Sequence, residues 1–240
     1  MVNIPYFQFN DPLGHAVWDY FQDPATFAKA VINVHSPLFD DDEIPVSYLF
    51  REYAHMPDVE KNALNLCEGS ILDVGAGAGC HSLYLQQSGK NITALEKSLL
   101  AAKTMGQRGV NNVLHQDFWG LKNKGYNTIL LLMNGLGLAG SIKKLPLFLD
   151  KCKSLLLLNG QIIADSSDIM YLYEGIKLPA KKYYGEVEYK MSYDKHVSSS
   201  FHWLFVDFDT LSACAKTVGM KATKLLTGEH HNYLVKLSIS

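Results

Sequence analysis

The stretch Ile71-Leu-Asp-Val-Gly-Ala-Gly-Ala-Gly-Cys-His-Ser-Leu-Tyr-Leu85 determines how the rest of the chain is interpreted. It opens with a short apolar run, which is typical of a buried strand. Three glycines follow at alternate positions, Gly75, Gly77 and Gly79, and Gly89 ends the helical pattern behind them. Glycines let the backbone turn sharply and let a ligand lie against bare main chain. The stretch therefore predicts the strand, turn and helix that begin a βαβ unit.

The spacing of the glycines and a preceding acid bear on the kind of ligand. The dinucleotide fingerprint Gly-x-Gly-x-x-Gly needs its third glycine at the position that Cys80 holds here. Asp73 lies two residues before the first glycine, where an anion would be unfavourable beside a pyrophosphate. A ligand with a cationic end would suit that acid better.

The pattern Asp-x-Gly-x-Gly-x-Gly resembles motif I of the class I S-adenosylmethionine-dependent methyltransferases. Their ligand carries an ammonium and a sulfonium group and no phosphate, so its charges agree with Asp73. The resemblance covers roughly residues 66–168 and, more loosely, the C-terminal tail. It implies an α/β fold, with a doubly wound, Rossmann-like, mostly parallel seven-stranded sheet and an antiparallel C-terminal strand.

Periodicity along the chain gives the same alternation of strands and helices. We predict helices over residues 98–107, 146–158 and 210–218. Two alternating segments rich in Val, Tyr and Phe, 185–193 and 200–208, predict a β-hairpin insertion after strand five, at about residues 180–208. The predicted strands of the sheet span residues 71–74, 92–95, 112–116, 127–133, 161–165, 221–226 and 231–239.

The first 66 residues differ from the rest in charge. They carry 3 basic and 10 acidic side chains, against 19 and 14 in the remainder. Helix-start signals stand at Asp11-Pro12 and Asp23-Pro24, and further helices are expected over 47–56 and 58–66. The acidic run 40–43 is expected to be a solvated loop. We therefore predict an N-terminal helical lid (1–66) and a methyltransferase domain (67–240).

Bulk composition limits the partners and the compartment. A formal net charge of −2 gives no electrostatic footprint for nucleic acid. The four cysteines lack metal-ligand spacing and do not suggest a disulfide framework, so no metal site is expected. No signal peptide and no membrane-spanning run is recognised, and we expect a cytoplasmic protein without a membrane partner. The oligomeric state does not follow from the sequence.

Ligands of open α/β sheets bind outside the carboxyl ends of the strands, so residues just after each strand are the candidates. Glu96 follows strand two and is positioned to accept both hydroxyls of a ribose. The resemblance implies that Asp117 accepts from the adenine amino group and that Phe118 lies against the ring. Arg51 is a candidate to pair with the cofactor carboxylate, because a guanidinium group suits bidentate binding. The full set of expected cofactor residues is Arg51, Asp73, Gly75, Ala76, Gly77, Gly79, Glu96, Lys97, Asp117, Phe118, Met133 and Asn134.

Methyl transfer is an in-line attack on an already activated methyl group, so the protein mainly supplies proximity and alignment. A base is needed only if the nucleophile must lose a proton. No single catalytic residue is therefore dictated. The candidates for the substrate pocket are Tyr48, Asn134, Tyr183 and Tyr184.

The sequence thus predicts an S-adenosylmethionine-dependent methyltransferase that acts on a small molecule and releases S-adenosylhomocysteine. Three alternatives remain open. The chain could bind the cofactor without catalysis, or it could be an NAD(P)-dependent oxidoreductase, which the glycine spacing opposes. It could also be an aminopropyl transferase, for which Asp165 and Asp168 would supply acids to hold a polyamine.

Overall fold

A computed structural model of the chain describes residues 10–122, 125–229 and 231–239. Most of these residues belong to a layered α/β architecture around one large sheet. Six α-helices are present in this part of the chain: α1 (Pro12–Gln22), α2 (Asp58–Asn65), α3 (Cys80–Gln87), α4 (Leu99–Gln107), α5 (Leu145–Leu155) and α6 (Phe208–Thr217).

The large sheet, called the main sheet below, has seven strands. Its order is β11-β12-β7-β6-β3-β4-β5; β12 runs antiparallel to its neighbours β11 and β7, while β7, β6, β3, β4 and β5 pair in parallel. This arrangement confirms the predicted seven-stranded, mostly parallel fold. The strands are β3 (Ser70–Val74), β4 (Asn91–Glu96), β5 (Val113–His115), β6 (Tyr126–Leu131), β7 (Leu156–Ser167), β11 (Met220–Thr227) and β12 (Asn232–Ile239).

Helices cover both faces of the main sheet, which is why its central strands are apolar without alternation. Thr128–Leu131 of β6 are all buried. One face packs with Phe148 and Leu149 of α5, and the other packs with residues of α2 and α3. The parallel order brings the carboxyl ends of β3, β4, β5, β6 and β7 to one edge, where the candidate residues lie.

A smaller antiparallel sheet, called the second sheet below, joins segments that are distant in sequence. Its order is β10-β8-β1-β2, with β9 paired to β8. Val34 of β1 is opposite Met191 of β8, so residues on both sides of position 66 share this sheet. The strands are β1 (Val31–His35), β2 (Asp42–Pro45), β8 (Glu186–Tyr193), β9 (His196–Val197) and β10 (Phe201–Leu204).

Several predictions for the first 66 residues are wrong. The signal at Asp23-Pro24 starts no α-helix, because the alternating residues behind it pair as β1, and part of the acidic run 40–43 is strand β2. Residues 47–56 form two short 3₁₀ turns in place of one helix. The helices after Asp11 and over 58–65 are confirmed. The division at residue 66 and the lid stay predictions.

Other predicted boundaries shift by a few residues. Helix α5 ends at Leu155 instead of Leu158, because Leu156 is already extended and pairs with Tyr126 of β6. The second inserted strand ends at Leu204, since Asp207 caps the next helix by accepting from the Thr210 N–H. No helix in the described ranges is long and apolar enough to cross a membrane.

Candidate functional site

The glycine turn after β3 contains two kinds of glycine. Gly75 and Gly77 have φ of +72° and +57°, and a Cβ atom on either would meet no atom closer than 4.0 Å. Gly79 has φ of +83°, but its Cβ would lie 2.8 Å from Met105 of α4. Ala76 between them points into a small apolar cluster that also contains Met105. The first two glycines therefore leave bare backbone facing open space, whereas the third allows close packing of helices.

Glu96 at the end of β4 is fastened to this turn. Its carboxylate accepts from the Gly77 N–H at 2.9 Å and from the Ser98 N–H at 2.7 Å. The side chain is buried, and that burial raises its pKa although the two backbone donors oppose the shift. An ionised carboxylate has about four acceptor positions, so lone pairs remain for the two hydroxyls of a ribose.

Asp73 lies beneath the turn at the end of β3. It is 2% exposed and accepts a hydrogen bond from the Ser82 hydroxyl at 2.7 Å. Burial raises the pKa of this carboxyl, with the charge of His81 opposing. A cationic ligand group near Asp73 would favour the ionised form and offset the desolvation.

The residues predicted for the adenine lie beyond Glu96. Lys97 and Asp117 form an exposed ion pair of 3.3 Å, and Asp117 also accepts from the Trp119 N–H. Phe118 is 7% exposed and its ring lies 5.1 Å from that of Phe148 in the core. Its contact with a purine, like the role of Asp117, stays a prediction.

After β6 the backbone is strained. Met133 and Asn134 both have φ of +57°, a conformation that costs a non-glycine residue on the order of 1 kcal/mol or more. The Asn134 N–H donates to Asp165 at 2.9 Å, and its side-chain amide donates to the Leu204 carbonyl at 3.2 Å. The Asn134 Oδ1 atom is buried and has no hydrogen-bond partner among the described residues. Such strain at a strand end is typical of functional loops.

Asp165, at the end of β7, was considered in the sequence only for a polyamine site. Burial raises its pKa to about 7, although the hydrogen bond from Asn134 opposes the shift. The structure shows it as the residue that holds the strained turn. The available signal in the sequence was its position as the last residue of the predicted strand 161–165.

Arg51 belongs to a buried ionic cluster that the sequence did not reveal. Its guanidinium lies 2.6 Å from Glu60 of α2, and Glu60 lies 2.9 Å from the His81 Nε2 atom. Burial alone would lower the pKa of His81, but Cys80 and Glu60 raise it to about 10. The only early signal was that His81 lies two residues after the last glycine of the motif, Gly79. Since Arg51 is committed to Glu60 and to the Tyr48 carbonyl, its role with a cofactor carboxylate stays a prediction.

The tyrosine candidates fall into two places. Tyr48 stacks on Arg51, with the guanidinium carbon 3.9 Å from the ring centre. Tyr183 donates to Asp207 at 2.5 Å and Tyr184 donates to Asp168 at 2.7 Å. The hydroxyls of Tyr183 and Tyr184 thus hold the acids near α6 and do not bond to the glycine turn.

No cluster of three His, Cys, Asp or Glu side chains suited to a metal ion occurs among residues 10–122, 125–229 and 231–239. At the carboxyl edge of the main sheet, a ligand would meet the bare backbone of the glycine turn, buried acids and apolar surface.

Comparison with solved structures identifies relatives of this fold. An S-adenosylmethionine-dependent methyltransferase from Bacteroides fragilis, in complex with S-adenosyl-L-homocysteine, is 41% identical. The match covers 97% of this chain and 96% of that chain, with a TM-score of 0.90.

More distant structures show the fold alone. DesVI of Streptomyces venezuelae is 13% identical over 81% of this chain and 96% of its own, with a TM-score of 0.57. The sugar N-methyltransferase KedS8 from Streptoalloteichus is 15% identical over 75% of this chain and 85% of its own, with a TM-score of 0.53.

No protein-family model matches the chain, and no curated protein does. The 41% identity along nearly the whole length of both chains is nevertheless decisive. The chain belongs to the class I S-adenosylmethionine-dependent methyltransferases.

Proposed function

We propose that the protein transfers the methyl group of S-adenosylmethionine to a small-molecule acceptor at the carboxyl edge of the main sheet. The observation that carries the proposal is the pairing of an open, bare turn at Gly75 and Gly77 with a carboxylate, Glu96, that is hydrogen-bonded to that turn. A methionine tail and an adenosine need these two surfaces side by side.

The proposed roles follow from charge and hydrogen-bonding capacity. The backbone of Gly75 and Gly77 approaches the ligand closely, and Asp73 balances its cationic end. Glu96 accepts from the ribose, since its two backbone donors fix the carboxylate without using all its lone pairs. Lys97, Ala76, Gly79, Asp117, Phe118, Met133, Asn134 and Arg51 complete the proposed surroundings.

The bound cofactor supplies an electrophilic methyl group, and the chain supplies alignment. Holding two reactants in line is worth up to about 7–11 kcal/mol of a barrier. The Met133–Asn134 turn adjoins the glycine turn along the same sheet edge, since β6 pairs with β3. Two hydrogen bonds, to Asp165 and to Leu204, keep that turn in one conformation, as alignment requires.

A small acceptor is the class that the surroundings favour. The second sheet and α1 lie over the same edge of the main sheet, because Ala78 of the glycine turn packs in one apolar cluster with Ile32 and Tyr193. That arrangement suits an enclosed site. A sugar N-methyltransferase among the structural neighbours is consistent with such an acceptor.

The placement of the cofactor is tested at two glycines that have nearly the same backbone conformation. Gly75 and Gly89 have φ of +72° and +76°, and a Cβ on either meets nothing within 4 Å. Both Gly→Ala variants should therefore lose a similar 1–2 kcal/mol, roughly, of folding free energy. Only Gly75→Ala should lose affinity for S-adenosylhomocysteine in calorimetry, by at least tenfold.

Equal affinity of the two variants would refute the placement of the cofactor. Detection of S-adenosylhomocysteine formation across a panel of amino sugars, phenols and amines then tests transfer. Cofactor binding without turnover on any acceptor would favour the non-catalytic alternative.

A further inference from the structure

We infer that the second sheet and α1 build the apolar wall of the cofactor's purine pocket, with Phe201 of β10 as its main contact. This inference rests on the proposed placement of the cofactor at Glu96. It assigns to the inserted strands a role in cofactor binding.

A cavity of about 590 Å³ lies beside Glu96. Its floor includes Glu96 and His115, at the ends of β4 and β5. Its wall includes Leu13 at the start of α1, Met191 of β8 and Phe201. Elements from three distant parts of the sequence therefore enclose one space next to the carboxylate proposed to hold the ribose.

The position of the purine next to the ribose favours this cavity as the purine site. A purine is one glycosidic bond from the sugar, so it must lie within a few ångströms of Glu96. Phe118, the other aromatic candidate, is 7% exposed and packs on Phe148, so little of its ring is available to a ligand. The cavity beside Glu96 has a polar side that includes Lys97, and an apolar side that includes Leu13, Met191 and Phe201. Planar aromatic groups favour stacking on such apolar surface.

The register of the second sheet explains why Phe201 faces the cavity. Phe201 is opposite Tyr189 of β8, and Met191, two residues further along β8, shares that face. Met191 packs with the apolar cluster that contains Ala78 and Ala101. This face is therefore turned toward the glycine turn and α4, and Phe201 stands where the face reaches Glu96.

A matched pair of variants tests the wall. Phe201 is the first residue of β10 and Phe205 directly follows that strand; both are half-buried aromatic residues, but Phe205 does not line the cavity. Phe201→Ala should raise the dissociation constant for S-adenosylhomocysteine about tenfold. Phe201→Leu, which keeps an apolar side chain at this position, should retain most of the wild-type affinity. Phe205→Ala should change it less than threefold.

Glu96→Gln separates the two possible failures. If Glu96→Gln leaves the affinity unchanged, the proposed placement of the cofactor is wrong. If Glu96→Gln weakens binding but Phe201→Ala and Phe205→Ala behave alike, the placement stands and the wall is refuted.

Photolabelling of the wild-type protein gives an answer that does not depend on how the variants fold. An 8-azidoadenosyl analogue of S-adenosylhomocysteine should attach to peptides that contain Leu13, Met191 or Phe201, and unmodified S-adenosylhomocysteine should compete with the labelling. Competed labelling that is confined to the residues after β5 and β6 would overturn the inference.

Discussion

The two sheets of this molecule differ in how far their strands depend on distant sequence. In the main sheet, β6 is a continuous apolar run buried from Thr128 to Leu131, and helices cover both faces. In the second sheet, β1 alternates buried and partly exposed residues, and it pairs with the nearby β2 on one side and with the distant β8 on the other, where Val34 is opposite Met191. A strand such as β6 can be recognised from its own apolar residues. The place of β1 in its sheet depends also on β8, which lies far along the chain.

The largest effect on stability is expected at the buried ionic cluster that joins the N-terminal segment to α3. Glu60 bridges Arg51, from the N-terminal segment, to His81 at the start of α3. Glu60→Gln leaves two buried cations without their counter-charge, so the free energy of unfolding should fall by about 3–5 kcal/mol. Urea denaturation measures this loss. The double variant Arg51→Met/Glu60→Met should recover part of it, and a loss below about 1 kcal/mol for Glu60→Gln would show that the cluster does not hold the regions together.

The next prediction compares the loss of stability when equally buried side chains are truncated in the two sheets. Leu130 of β6 and Ile32 of β1 are both 0% exposed. Each substitution by Ala should cost about 2–5 kcal/mol at its site. Because β1 has one face on the core, Ile32→Ala should accelerate amide hydrogen exchange in β1 and β8 more than in β6. Equal acceleration in both sheets would show that they open as one unit.

The third effect concerns pH and Asp165, the acid of β7 that accepts from the Asn134 N–H in the turn after β6. The pKa of Asp165 is raised to about 7 from 3.8, so between about pH 4 and pH 7 the folded state holds a proton that the unfolded state has lost. This contribution to stability is complete at low pH and disappears as the pH rises to 7. Asp165→Asn cannot titrate but can still accept from Asn134.

Wild-type protein should therefore lose more stability than Asp165→Asn between about pH 4.5 and pH 7.5, by on the order of 2 kcal/mol. Chemical denaturation at the two pH values measures the difference. Parallel pH dependence in the two proteins would mean that Asp165 titrates normally.

The smallest loss of stability is expected at the start of α1, where Asp11 contacts Ser98. Asp11 caps this helix through the Gly14 N–H and accepts from the Ser98 hydroxyl at 2.6 Å. Asp11→Ala should cost about 1 kcal/mol, as for the loss of other N-caps. Because α1 also lines the cavity beside Glu96, affinity for S-adenosylhomocysteine should fall severalfold in the same variant. Unchanged affinity would show that α1 is not part of the cofactor site.

Much of the candidate site was open to prediction because its residues follow strands with strong local signals. Asp73, the glycine turn and Glu96 lie at the ends of β3 and β4, and a parallel sheet necessarily brings such ends to one edge. Glu60, His81 and Asp165 were missed as partners. Their importance comes from burial beside charges supplied by other elements, which no spacing in the sequence records.

The sequence by itself determined the main sheet, the class of ligand turn and the family resemblance, because local apolar runs, caps and glycines specify them. Only the tertiary structure decided that β1 and β2 join the inserted strands in one second sheet, since β1 pairs with β8 across the chain. It also distinguished Gly75 and Gly77, which face open space, from Gly79, which packs on Met105. That difference depends on which atoms stand opposite each glycine, and folding alone places them there.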